Sequence, residues 1–263
     1  MLALIAGQGA LPGAVARAQP TAPLICAMDP VRPEGLVPDR SFRLERLGSF
    51  LRWLRGQGVT RVCMCGAVPR PELRWSALDL PTLLLLPRVL RALRHGDDGA
   101  LRIAIAIVEQ AGFAVIGAHE AAPDLLPRTG VPTAAAPGDD AAEAARLGDR
   151  ISTEQGERDL GQACVIRDGR VIAREAQAGT DAMIATLPGA TGRSGILYKA
   201  PKPGQERRAD LPVIGPATAE GAIRAGLAGI VIEAQGVMVL DRERVVQMLD
   251  EAGLFLWVRE RPV

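Results

Sequence analysis

The sequence predicts an α/β protein in two parts, a parallel-sheet N-terminal domain over residues 1–128 and a mixed α/β C-terminal domain over residues 138–263. Three observations lead there. Strand-like and helix-like segments alternate through the first half, which argues a parallel sheet covered on both faces. Between Ala121 and Asp139 the composition turns to Ala, Pro, Gly and Asp, with Pro123, Pro127, Pro132 and Pro137, a linker signature. Beyond it, Asp168-Gly169 separates two strand-like runs, which signals a tight hairpin and so antiparallel pairing.

In the first half, Leu2–Ala6 reads as a buried strand entering the loop Gly7-Gln8-Gly9, and Leu24–Ala27 as a second apolar run. Leu44, Leu47, Phe50, Leu51 and Leu54 recur at helical spacing until Gly56 and Gly58 close the helix. Val59–Cys65 follows as a strand, Leu83–Leu93 as a helix interrupted near Pro87, Leu101–Ala111 as a helix, and Phe113–Ile116 as a strand. In the second half Cys164–Arg167 and Arg170–Arg174 flank the hairpin turn. Strands are expected at Gly195–Lys199, Ile230–Glu233, Val237–Leu240 and Leu254–Val258. Helices are expected at Ala219–Ala225 behind a Thr218 cap and at Arg242–Ala252 behind an Asp241 cap.

Composition narrows the function classes. Aromatics make up 3% of the 263 residues, so the core must be built from Ala, Leu, Val and Ile. A net charge of +1 gives no global field for nucleic acid or an anionic membrane, so phosphate binding requires local Arg and Lys clusters. Cys26, Cys63, Cys65 and Cys164, with His95 and His119, make no zinc set, and buried reduced thiols are expected. Leu83–Leu86 is too short to span a bilayer and Leu2–Ala6 lacks a basic flank, so a cytoplasmic protein is expected.

Four segments could carry chemistry. Gly7 and Gly9 would let the backbone approach a phosphate, and Asp29 lies where a dinucleotide fold places its ribose-binding acid. Pro12 occupies the position of the third fingerprint glycine, which leaves open a plain strand-to-helix turn. Asp98, in Arg94-His95-Gly96-Asp97-Asp98-Gly99, could hold Mg²⁺ or cap a helix, and His119-Glu120 follows a strand's carboxyl end, where open sheets bind ligands. Gly179-Thr180-Asp181 could bind a metal or phosphate, or cap a helix through Thr180. The densest segment, Lys199–Gly215, holds four cations, two acids and three prolines. Its prolines limit the entropy lost in fixing a loop, its cations suit a diphosphate, and Asp210 could ligate Mg²⁺ or orient a water. The apolar Leu211–Gly215 that follows would anchor Asp210 to a core. A Rossmann-type oxidoreductase and a non-catalytic nucleotide-binding module remain the competing classes.

The opening Leu4-Ile5-Ala6-Gly7-Gln8-Gly9-Ala10-Leu11-Pro12, then Gly96-Asp97-Asp98, Gly117-Ala118-His119-Glu120, Gly179-Thr180-Asp181-Ala182-Met183, Lys199–Gly215 and Ala225-Gly226-Leu227-Ala228-Gly229-Ile230 occur in this order. Each is weak alone; the ordered set resembles the LpxI family of UDP-2,3-diacylglucosamine pyrophosphatases over nearly the whole chain. The resemblance implies a Rossmann-like N-terminal domain, a separate C-terminal α/β domain, and a lipid product held between them. It also implies Mg²⁺-dependent hydrolysis in lipid A synthesis, with water attacking the α-phosphorus to give UMP and 2,3-diacylglucosamine 1-phosphate (lipid X). Asp210 matches the acid of the family's Asp-Leu-Pro-x-Ile-Gly motif, which is important for catalysis. Lys199, Lys202, Gln205 and Arg208 fall on recurrent positions. On this basis Asp210, Lys199 and Arg208 are expected to be catalytic. Gly7, Gly9, Lys202, Gln205, Thr180 and His119 are expected to bind substrate or phosphate, and Asp210, Asp181 and Asp98 to bind metal. A homodimer and a peripheral contact with the inner membrane are further implied, with no nucleic-acid partner. Ala67 stands where relatives often carry Asn and His95 where Lys is common, and Arg128–Pro137 looks irregular, which weakens any role at those positions.

Overall fold

The computed structural model describes residues 1–69, 73–94, 97–158, 160–176, 178–188 and 192–261; His95 and Gly96 of the fourth-to-fifth helix junction lie outside them. The chain divides into two compact units, residues 1–123 with 206–210, and residues 124–205 with 211–263. The charged segment therefore belongs to both: Lys199–Gln205 and Leu211–Gly215 fold with the second unit, and Glu206–Asp210 with the first.

The first unit is built on five parallel strands: β1 (Leu2–Ala6), β2 (Leu24–Met28), β3 (Arg40–Phe42), β4 (Arg61–Cys65) and β5 (Ala114–Ile116), in the order β3-β2-β1-β4-β5. The chain reverses its direction of travel between β1 and β4, the switch point at which such sheets open a crevice. β1 is apolar throughout because both of its faces are covered. Helices α1 (Leu11–Arg17), α2 (Leu47–Gly56), α3 (Leu80–Leu83), α4 (Leu86–Arg94), α5 (Asp97–Gln110) and α6 (Ala118–Ala121) complete it. The helical stripe expected at Leu44–Leu54 buries Phe50, Leu51 and Leu54, with Leu44 to Arg46 tightened into a 3₁₀ turn. Where one interrupted helix was expected around Pro87 there are two: Asp79 caps α3 by accepting the Thr82 N–H at 2.8 Å, and Pro87 falls in the first turn of α4, where no N–H is needed. All four thiols are buried and unpaired, and burial pushes Cys26 and Cys164 up to about 12.

The second unit holds a mixed sheet in the order β12-β10-β8-β6-β7, formed by β6 (Ala163–Arg167), β7 (Arg170–Arg174), β8 (Ile196–Lys199), β10 (Gly229–Glu233) and β12 (Phe255–Arg259). β8, β10 and β12 are parallel, and β6 runs against both β7 and β8. Asp168 and Gly169 have φ of 50° and 69°, the left-handed pair that a two-residue hairpin turn demands. β9 (Val213–Ile214) and β11 (Met238–Val239) pair in a separate two-stranded parallel sheet. Among the described residues, helices α7 (Asp139–Glu157), α8 (Thr180–Ala185), α9 (Pro216–Arg224) and α10 (Arg242–Ala252) pack around these strands.

Three local expectations are corrected. Gly215 caps α9, which starts three residues earlier than expected, at Pro216 rather than Ala219; Thr218 lies inside the first turn, where its hydroxyl donates to Asp181. Thr180 is likewise the first residue of α8 rather than its cap, which is Gly179 with φ of 85°. Asp241 does precede α10, but in a left-handed conformation and without a side-chain capping bond. Helix α7 has no sequence expectation because its buried residues are mostly small or polar, Ala141, Ala144, Ala145, Gly148, Ser152 and Gln155, with Ile151 as the large apolar one. That small-residue face serves close approach: a Cβ on Gly148 would stand 2.4 Å from the Tyr198 ring. The stretch read as linker is bound along β12, since Gly130 pairs with Val258 and the Leu256 N–H donates to Thr133 Oγ1 at 2.9 Å. Among the described residues no helix is long and apolar enough to cross a membrane.

Candidate active site

At the carboxyl ends of β1 and β4 two glycine loops lock together. The Gly7 N–H donates to Cys65 O at 2.8 Å, and Gln8 and Ala67 exchange bonds of 2.7 and 3.1 Å. A Cβ on Gly7 would stand 2.4 Å from the Gly66 backbone, and one on Gly66 would stand 2.8 Å from Pro12 Cγ. The close approach that requires Gly7 is thus loop against loop, and Pro12 fills the place of the missing fingerprint glycine. Gly9, with φ of 86°, has open space where a side chain would stand. Asp29 ends β2's connection in an exposed pair with Arg32 at 3.3 Å.

Beyond β5, Gly117 is needed because a Cβ there would meet the His119 ring at 2.4 Å and the Arg208 backbone at 3.2 Å. Glu120 turns back to accept the Gly117 N–H at 2.6 Å, fixing this corner. Nδ1 of His119 is buried without a hydrogen-bond partner among the described residues. Burial, the largest influence, lowers its pKa, Glu120 opposes that, and Arg207 adds to it.

The segment Glu206–Asp210 lies on α5 through a chain of charges. Asp98 accepts the Glu206 N–H at 2.9 Å and pairs with Arg102 at 2.7 Å. Glu206 grips Arg208 with both oxygens, at 2.9 and 3.0 Å, and Arg208 reaches Glu109 at 2.7 Å. The Arg208 hydrogen bond is the chief cause of the lowered Glu206 pKa, and Glu206 in turn raises that of Arg208. Burial pushes Asp98 up, but Arg102 and the Glu206 N–H outweigh it and hold the carboxyl below its ordinary value. Ala209 packs on the apolar core of the first unit, and half-buried Asp210 follows it. Arg208, Asp98 and Asp210 therefore share one unit with Gly7, Gly9 and His119.

Lys199, Lys202, Gln205, Thr180 and Asp181 belong to the other unit. Lys199 ends β8 and is buried; its ammonium donates to Thr180 Oγ1 at 2.7 Å and to Val213 O at 2.9 Å. The Thr180 hydroxyl donates onward to Glu175 at 2.7 Å, and the other Glu175 oxygen takes the Gln162 N–H. Asp181, exposed in the first turn of α8, accepts from the buried Thr218 hydroxyl at 2.8 Å. Gln205 Oε1 accepts the Lys202 N–H at 3.0 Å, and this turn lies on Gly156 of α7, where a Cβ would stand 2.4 Å from Pro203.

Family models described as the LpxI N-terminal and C-terminal domains match residues 1–125 and 128–257. The chain belongs to the LpxI family. It is 40% identical to UDP-2,3-diacylglucosamine pyrophosphatase LpxI of Caulobacter vibrioides, over 97% of this chain and 96% of that protein. The first match ends at residue 125 and the second begins at 128, within a few residues of the change of unit between Pro123 and Asp124.

Glu109, Glu175, the Thr218–Asp181 bond and the clamping role of Glu206 are not legible in the sequence. In the sequence Glu206 reads only as a charge, and its place next to Arg207 and Arg208 is the local signal for a clamp. Glu109 is 99 residues from Arg208, so no local pattern could have joined them.

Proposed function

We propose that this chain hydrolyses the diphosphate of UDP-2,3-diacylglucosamine, with water attacking the α-phosphorus, to give UMP and 2,3-diacylglucosamine 1-phosphate in lipid A synthesis. The observation that carries this reading is the match to a UDP-2,3-diacylglucosamine pyrophosphatase over both domains and nearly the full length of each protein. The reaction is Mg²⁺-dependent in this reading. Among the described residues no three His, Cys, Asp or Glu side chains form a ready-made metal cluster. That suits Mg²⁺, which commonly takes one or two carboxylates and completes its octahedron with waters and substrate phosphate oxygens.

The candidate donors differ in fitness. Asp98 is already committed to a guanidinium and a backbone N–H, so its work is to hold the loop. Asp181 keeps one oxygen on Thr218 and is otherwise exposed, which fits a single contact to a hydrated ion. Asp210, half-buried at the end of a clamped segment, is the carboxylate we assign to the metal or to the attacking water. When bound, Mg²⁺ supplies neutralisation of the charge that builds on the phosphoryl oxygens.

The chain's own groups do the rest. Lys199, with Thr180, keeps a positive charge and a hydroxyl at the carboxyl end of β8, and Lys202 and Gln205 offer donors from a turn pinned on α7. Arg208 gives three of its N–H groups to Glu206 and Glu109, so it holds Asp210's segment on α5 while its charge adds to the phosphate environment. Gly9 and His119 are assigned to substrate contact. Gly7 supports that contact by letting the two loops meet, and the diacylated substrate brings the protein to the inner membrane.

Incubating the full chain with substrate and Mg²⁺ in ¹⁸O-labelled water tests the reading. UMP should form, carry the label, and stop forming when the metal is chelated. Absence of UMP would defeat the assignment, and label in the lipid phosphate would place the attack on the other phosphorus.

A further inference from the structure

The first unit carries a surface that its own core does not use. Leu80 and Leu84 are 80% and 82% exposed and Trp75 is 61% exposed, with Leu83 beside them, all within ten residues of one another around α3. This is not a loosely held segment. Thr82, fully buried, accepts the Gly48 N–H at 2.9 Å, and Gly48 itself is so close to Pro81 that a Cβ there would stand 2.5 Å from its backbone. Farther on, Leu85, Val89 and Leu93 face the core of the unit. The inward positions are filled, and the leucines that remain outside are held there by a fixed backbone. An apolar patch of this kind on a packed element marks a contact with something else.

The charge beside the patch says what. Residues 73–94 contain four arginines, Arg74, Arg88, Arg91 and Arg94, and one acid, Asp79. The net charge of +3 compares with +1 for the whole chain. All four arginines are exposed, and Arg88, Arg91 and Arg94 recur at three-residue spacing along one side of α4. Asp79, the acid in that count, is engaged in its capping bond to the Thr82 N–H. Leucines and an indole at one end, with a cationic helix face adjoining, match a surface that is anionic at its headgroups and apolar just beneath. An acidic protein would satisfy the arginines but leave Leu80 and Leu84 in contact with charge.

We infer that Trp75, Leu80, Leu83 and Leu84, with the arginine face of α4, form a docking element for an anionic lipid bilayer. The element lies outside the site assigned above and deepens that reading, since it specifies how the enzyme would rest where a diacylated substrate is held.

Sedimentation of the full chain with vesicles tests it. The wild type should bind vesicles of phosphatidylethanolamine with a minority of phosphatidylglycerol, more weakly in high salt and more weakly on phosphatidylcholine alone. Replacing Leu80 and Leu84 together by Gln should lower the partition coefficient by about tenfold or more. Arg88→Gln and Arg94→Gln should each lower it by roughly fivefold on the anionic vesicles only. Because these side chains are exposed, circular dichroism should be unchanged. UMP release from detergent-dispersed substrate should keep its kcat and KM in the leucine double variant. Failure of the wild type to bind, or equal binding by the variants, overturns the inference. A raised KM on dispersed substrate also overturns it, because the leucines would then be holding the substrate's own acyl chains. Vesicle binding without any UMP release would remove the proposed reaction and leave the docking element standing.

Discussion

Lys199 and Arg208 lie nine positions apart in one charged segment, yet their surroundings differ in kind. Lys199 is buried at the end of a central strand and donates to a neutral hydroxyl and a carbonyl, with Glu175 one bond behind. Arg208 is about one-third exposed and is held by two carboxylates, one of them on α5. A buried ammonium is maintained only where its bonds are complete, so removing it or its partners unsettles the fold. A screened surface ion network contributes little to stability and acts by fixing geometry. The two cations thus divide the work: Lys199 is tied to the core of its unit, and Arg208 is tied to the position of the segment that ends in Asp210.

The difference can be broken by substitution. The largest effect is expected from Lys199→Met, which leaves Thr180 and Val213 without their donor and should lower unfolding stability in urea by about 3 kcal/mol. Arg208→Gln should lower it by less than about 1 kcal/mol while reducing kcat by roughly tenfold through a loosened Asp210 segment. Glu109→Gln removes only the outer end of the clamp, and a loss of about threefold in kcat at unchanged stability is expected. If Arg208→Gln destabilised as much as Lys199→Met, the division would be wrong.

Acidification sharpens the comparison with the smallest effects. The Glu206 pKa is lowered in the folded state, chiefly by Arg208, so its contribution is present above the ordinary value of 4.5 and is lost as pH falls through the folded value. The His119 pKa is lowered by burial, so below the ordinary value of 6.5 the unfolded chain takes a proton that the folded one resists. Stability should therefore begin to fall below that value and level off once the folded imidazole is protonated. Denaturation midpoints measured from neutral pH downward should show the first limb disappear in His119→Gln and the second weaken in Arg208→Gln.

Much of this architecture was legible in the residues. The apolar Leu2–Ala6, the stripe Leu44–Leu54 and the Asp168-Gly169 turn each carry a local physical rule, and each forms the element expected. Helix α7 escaped because close packing against Tyr198 selects alanine and glycine, which leave no hydrophobic periodicity to read. Thr180 and Thr218 were legible as helix-start residues, but their bonds to Glu175 and Asp181 depend on tertiary neighbours. For the same reason the charged segment revealed its density of cations and prolines but not its division between two units. Gly7 was legible as a close approach; that the approaching group is Gly66 lay beyond any local pattern.

The central claim is that Asp210 carries the hydrolysis from a segment whose geometry the clamp sets. Steady-state UMP release by Asp210→Asn, beside an independent measurement of substrate binding, tests it most directly. The account predicts a fall in kcat of about a thousandfold, with substrate affinity within roughly threefold of wild type and an unchanged melting transition. Turnover close to that of the wild type would contradict it.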